Sequence, residues 1–227
     1  HELPRYFGPG LTWQNDALGH ESTASYLAEG RVTSALAAQP RYVLISFGLI
    51  DAFGEAGYQT DPTTYRQNLH QMAVQARAAG AKPIFVTSAP ARWAADDGVH
   101  MRRPNGLEPW NDAMIAQGQQ DAVPVVDVFS WLMDEYDRLG VPLAQKQYGL
   151  DQNGLPDPDH FSTYGADQVA RHIASQLPQL APDLAVFLWA TPAPALPVWA
   201  KIGLVAALGS ALYAAESLQR MRYGSGA

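Results

Sequence analysis

Asp157-Pro158-Asp159-His160 sets a carboxylate three residues ahead of an imidazole, just before the helical pattern that starts near Tyr164. A pair so spaced can do one definite piece of chemistry. The carboxylate orients the ring and stabilises its protonated form, and the other ring nitrogen is left free to take a proton from a serine hydroxyl. Read alone, the same residues also make a polar turn capping the last helix, with Asp159 and Ser162 as cap and turn residues. Three further turns hold polar or reactive groups: Asn15 to Thr23, Gly48-Leu49-Ile50-Asp51, and Ala89-Pro90-Ala91-Arg92-Trp93. Arg92 can bind a sugar carboxylate and Trp93 can stack on a pyranose face.

The elements that must position these groups are short apolar runs alternating with helical patterns. Leu11–Ala17, Tyr42–Phe47, Pro83–Ser88 and Val123–Val128 read as strands, each separated by enough chain for one helix. Tyr42–Phe47 is almost continuously apolar, as expected of a parallel strand covered on both faces. Asp61-Pro62 predicts a capped helix start and Gly80 its stop, with Tyr65, Leu69, Met72 and Ala76 on the buried face. Further helices are expected over about 109–120, 129–139 and 164–177. The fold class is therefore α/β, three layers with a doubly wound parallel sheet. In such sheets ligands collect at the carboxyl ends of the strands, where all four turns fall.

The order and spacing of these turns resemble the SGNH (GDSL-like) hydrolases, in the rhamnogalacturonan acetylesterase branch, over residues 1 to about 177. Asn15-Asp16-Ala17 through Ser22, with Glu29-Gly30-Arg31, resembles that family's second block. Phe47-Gly48-Leu49-Ile50-Asp51 resembles its third block, and Asp157, His160, Gly165 and Ala166 its fifth. The resemblance implies a flavodoxin-like SGNH fold and a Ser-His-Asp esterase that removes acetyl groups from plant cell-wall polysaccharide through an acyl-enzyme, with no metal or cofactor. It also implies an extracytoplasmic setting and an oxyanion held by the serine amide, a block-two Gly amide and a block-three Asn side chain.

This sequence departs from that pattern in three places. His20 stands where the block-two Gly is expected, beside Gly19, and Ile50 stands where the Asn is expected. Isoleucine donates no hydrogen bond, and losing one oxyanion donor costs about 10²–10³ in rate. The first block, a strand ending in Gly-Asp-Ser, would precede His1. Three explanations are open. The chain is a piece of a longer protein with its serine upstream; or it is permuted, with 201–208 as the first strand and Gly209-Ser210 in place of Gly-Asp-Ser; or 198–215 is an appended packing helix or membrane anchor. The domain reading is 1–182 for the hydrolase-like unit lacking its usual first strand, 183–197 for a Pro/Ala linker, and 198–227 for a C-terminal Ala/Gly-rich apolar segment.

Composition narrows the partners. With 15 Lys and Arg against 22 Asp and Glu, the net charge is −7, which disfavours nucleic acid. The absence of cysteine excludes disulfides, a thiolate nucleophile and cysteine zinc sites. The expected partner is an acetylated carbohydrate, hydrolysed with His160 as base, Asp157 as its partner and Ser210 or an upstream serine as nucleophile. The rival is a non-catalytic SGNH-like domain that binds polysaccharide, and the tail alone suggests a third reading, a membrane-tethered domain of an acetyl-transfer or envelope system.

Overall fold

The structure, a computed structural model, describes residues 2–91, 104–140, 144–151, 153–154, 156–189 and 202–206. Five strands form a parallel sheet: β1 (Trp13–Asn15), β2 (Tyr42–Ser46), β3 (Lys82–Val86), β4 (Val125–Val126) and β7 (Ile202–Ala206), in the order β1-β7-β2-β3-β4. A separate antiparallel pair joins β5 (Tyr148–Leu150) to β6 (Pro156–Phe161). The helices are α1 (Thr23–Ala28), α2 (Arg31–Leu36), α3 (Leu49–Phe53), α4 (Pro62–Ala78), α5 (Glu108–Asp121), α6 (Val128–Leu139) and α7 (Thr163–Leu180).

The period-two alternation of buried strands divides the core in two. Leu44, Ile84, Val86 and Val126 pack with Leu132, Tyr136, Ile173 and Leu177 on one face. Val43, Ile45 and Phe85 pack with Tyr26, Tyr65, Leu69, Met72 and Met114 on the other. Each such fully buried side chain contributes about 1.5–3 kcal/mol relative to exposure, so the sheet is held between helices from both sides, as α/β patterning requires.

The expected strands are present but shorter, because pairing in a twisted parallel sheet ends where each chain turns into its helix. Asp61 caps α4 by accepting from the amides of Thr63 and Thr64, and Tyr65, Leu69, Met72 and Ala76 are buried as predicted. Two features were not expected. The hairpin β5–β6 carries Asp157 and His160 on a strand rather than on a turn. Residues 182–187 form a 3-10 helix that closes against the amino-terminal segment, with the Trp189 amide donating to the Tyr6 carbonyl at 3.0 Å.

Strand β7 fills the slot between β1 and β2. Gly203 pairs with both Gln14 and Val43, and Ala206 pairs with Ser46, all in parallel register. Backbone donors and acceptors of β1 and β2 that face each other are thereby satisfied, which a sheet with that slot open would leave unpaired. Apart from 202–206, the C-terminal segment 198–227 lies outside the described residues. Among the described residues no helix is long and apolar enough to cross a membrane.

Candidate active site

His160 and Asp157 meet as their spacing predicts. The His160 Nδ1–H donates to Asp157 Oδ2 at 2.8 Å, while the other carboxylate oxygen accepts from the backbone amides of Asp159 and His160, each at 2.8 Å. The aspartate is thus locked by its own following chain. It acts as an Asx-type turn and as the ring's orienting group. The carboxylate fixes the tautomer, because an ionised Asp can only accept, and Nε2 is left as the basic nitrogen. His160 keeps about a third of its side chain exposed, whereas Asp157 is mostly covered.

The hairpin register explains why these two residues project together. Tyr148 pairs with Phe161 and Leu150 with Pro156, so Gly149 alone faces Asp157 to His160. That is a bulge, which leaves the ladder locally and re-aims side chains. Asp159, also in the bulge, has its carboxyl pKa raised by burial and by the neighbouring Asp157 charge.

Tyr148 ties the hairpin to the turn after β3 and to helix α6. The Tyr148 hydroxyl donates to the Pro90 carbonyl at 2.6 Å and accepts from the Tyr136 hydroxyl at 2.7 Å, and its ring lies 5.0 Å from that of Phe161. Pro90 belongs to the turn after β3, so His160 stands at the carboxyl edge of the sheet. On its other side, Ser162 caps α7 by accepting from the Gly165 amide at 3.1 Å. Gly165 is required by close approach: a Cβ there would lie 1.9 Å from the Gln147 carbonyl oxygen. Helix α7, which starts just after His160, is therefore held against the segment before β5 by backbone close to backbone.

A second group of predicted residues gathers around Asp51, which is fully buried. Its carboxylate accepts from the Thr23 amide at 3.1 Å, from the Thr23 hydroxyl at 2.5 Å and from the Thr60 hydroxyl at 2.7 Å. Burial raises its pKa, and the hydrogen bonds from Thr23 and Thr60 work in the opposite direction. Asp51 thereby braces three segments, the start of α1, helix α3 and the 54–60 loop. Ile50, one residue earlier on α3, is half-buried and offers no donor.

Gly19 and His20 are exposed on the turn leading to α1, and His20 has φ +66°. The left-handed conformation that suits glycine is therefore kept by a histidine, at a cost of about 1–2 kcal/mol. Its ring lies 4.9 Å from that of Tyr58, tilted by 59°. Farther along, Arg31 pairs with Glu29 and, at 3.5 Å, with Glu21, so the Glu29-Gly30-Arg31 block braces the α1–α2 junction.

The two groups are neighbours through the turns that follow β2 and β3. Gly48, at φ +134°, sits so close to the β3 turn that a Cβ on it would lie 3.2 Å from Ser88 Cβ. Ser88 is held in turn by Asn111, whose side-chain oxygen accepts from the Ser88 amide at 2.9 Å. Arg92, Trp93 and Ser210 lie outside the described residues. Tyr148, Tyr58 and Asn111 were not singled out from the sequence, since a lone tyrosine or a helical asparagine gives no periodic or motif signal. Among the described residues there is no group of three or more His, Asp or Glu able to hold a metal.

Comparison with known proteins decides the family. The profile of the GDSL-like lipase/acylhydrolase family matches residues 1–167. The chain belongs to that family. It is an ester hydrolase of the SGNH type, similar to rhamnogalacturonan acetylesterase RhgT of Bacillus subtilis (strain 168), with 32% identity over 185 residues and 77% of each chain covered. Among solved structures, the Bacillus subtilis protein YXIM superimposes with a TM-score of 0.67 at 19% identity, covering 78% of this chain and 49% of that one. The acetyl xylan esterase AlAXEase superimposes with a TM-score of 0.56 at 16% identity, covering 70% of this chain and 78% of that one. At those identities the two superpositions establish the fold.

Proposed function

We propose that this chain is a serine acetylesterase acting on acetylated carbohydrate, with Ser210 as nucleophile, His160 as general base and then acid, and Asp157 as the group that orients His160. The observation that carries the reading is the position of β7. It runs parallel to β2 inside the sheet, with Ala206 level with Ser46, so the strand ends at the same carboxyl edge as β2, the edge whose β3 turn holds the His160 hairpin. Gly209-Ser210 follows the last residue of β7 by only a few positions. Strand β7 is read as the counterpart of the strand that, by the resemblance to SGNH hydrolases, carries the nucleophile at its end.

In the first half of the reaction, Nε2 of His160 takes the Ser210 proton as the serine oxygen bonds to the acetyl carbonyl carbon. The tetrahedral intermediate collapses with the ester C–O bond breaking, and the imidazolium gives its proton to the departing sugar hydroxyl. Water then attacks the acetyl-enzyme by the same route, releasing acetate and restoring the serine. Asp157 holds the ring and stabilises its positive charge throughout. The Gly19–His20 turn supplies the backbone side of the oxyanion region, and Ile50 adds no side-chain donor. The similarity to acetylesterases supports the acetylated-sugar substrate, and the composition supports a neutral or weakly anionic glycan over a polyanion.

The reading is tested by reacting the purified chain with a fluorophosphonate and mapping the modified residue by mass spectrometry. Label on Ser210 that disappears in His160→Ala is the expected result. Label on another serine, or none on the native chain, would overturn the assignment of Ser210 and leave a non-catalytic or truncated domain.

A further inference from the structure

His20 presents a problem that its neighbours resolve. A histidine held at φ +66° on an exposed turn, where glycine would be unstrained, implies that its side chain is used. The ring does not point away from the protein, because it meets the half-buried Tyr58 ring at 4.9 Å. Both rings are fixed by one buried group. Thr23, three residues after His20, and Thr60, two residues after Tyr58, bind the same Asp51 carboxylate.

The loop bearing Tyr58 is further pinned at each end. The Gly54 amide donates to the Ile50 carbonyl at 2.8 Å, the Gln59 side chain donates to the Gly54 carbonyl at 2.7 Å, and the Thr60 amide donates to the Asp51 carbonyl at 3.0 Å. The indole N–H of Trp110 donates to the Thr60 carbonyl at 2.9 Å. The result is a pair of aromatic rings, pre-positioned and partly open to solvent, beside Ile50 and the Gly19–His20 turn. Rings set rigidly and partly exposed suit a ligand with an apolar face and polar rim, which is the surface of a pyranose.

We propose that His20 and Tyr58, with their ring planes inclined at 59°, form an aromatic corner that receives the sugar ring adjoining the acetylated residue, so that the departure from glycine at position 20 serves substrate recognition. This rests on the esterase reading for the identity of the ligand, but its test does not need turnover. The probe is a deacetylated rhamnogalacturonan oligosaccharide, titrated calorimetrically into the native chain and into Tyr58→Ala, Tyr58→Phe, His20→Ala and His20→Gly.

The expected result is binding by the native chain, weakening of Kd by about tenfold in Tyr58→Ala, His20→Ala and His20→Gly, and retention in Tyr58→Phe, which keeps the ring. His20→Gly separates recognition from folding, because glycine relieves the backbone strain. Its thermal midpoint should hold or rise while its affinity falls. Failure of the native chain to bind the oligosaccharide would overturn the proposal, as would affinities within twofold of native in both Tyr58→Ala and His20→Gly. Failure of the esterase reading would show separately, as absence of label on Ser210, and would leave the binding result standing.

Discussion

The Asp157–His160 bulge and the His20–Ile50 corner stand at the same edge of the sheet but are built by different means. The first is local. Asp157 is held by the amides two and three residues after it, so its geometry with His160 follows from a run of four residues. The second is assembled from three segments separated along the chain, and a single buried carboxylate, Asp51, holds them together. The local unit retains the family's residues, while the assembled one carries both substitutions, His20 and Ile50. Groups that position each other within four residues need little else from the fold. A corner braced from behind keeps its backbone shape while the side chains in front of it vary.

The largest expected effect lies in the local unit. His160→Ala should lower kcat for p-nitrophenyl acetate by about 10⁴-fold with little change in KM, since it removes the proton carrier and leaves the binding surface. Asp157→Asn should cost between about 10² and 10⁴, because the amide nitrogen would face Nδ1 and favour the wrong tautomer. Equal losses of KM and kcat in these variants would mean that the hairpin itself had shifted, and circular dichroism would distinguish the two.

Next comes Asp51→Ala, which leaves the Thr23 amide and the two threonine hydroxyls without their buried acceptor. Unfolding in urea should show a loss of about 3 kcal/mol. The Asp157–His160 pair should survive in this variant, visible as fluorophosphonate labelling that persists below the new midpoint. Collapse of labelling along with stability would show that the two regions are one cooperative unit.

The smallest effect concerns His172, which stacks on Trp131 with ring centroids 4.1 Å apart and planes 6° from parallel. Burial lowers its pKa below the ordinary 6.5, against a small opposing influence of Asp127. The sign follows from proton uptake. As pH falls past 6.5 the unfolded chain binds the proton first, so stability drops until the folded pKa is passed and then levels. His172→Phe keeps the stack and should remove this slope, measured as the urea midpoint between pH 7 and pH 5. A stability slope unchanged by His172→Phe would assign it to another group.

Much of this molecule could be read from the chain alone, wherever the controlling interactions are close in sequence. The short apolar runs named the strands and the helical pattern named the buried face of α4, because burial on both faces leaves a continuous run and burial on one side imposes a repeat. Asp61-Pro62 announced a helix start, since capping needs only neighbouring amides. The Asp157–His160 contact was legible for the same reason, although the bulge that carries it was not, because register depends on the partner strand β5.

What only the tertiary structure decided are the meetings of distant segments. The sequence leaves 201–208 open between a first strand and part of a helix, because a short apolar run fits either until its unpaired neighbours are known; the pairing of Ile202–Ala206 between β1 and β2 makes it a strand. No spacing rule brings Thr23 and Thr60 to one carboxylate, sets Tyr148 under Pro90, or places Tyr58 against His20. Those contacts exist because the sheet's carboxyl edge gathers every turn of an α/β fold into one place. There, buried polar groups must find partners in whichever turns stand beside them.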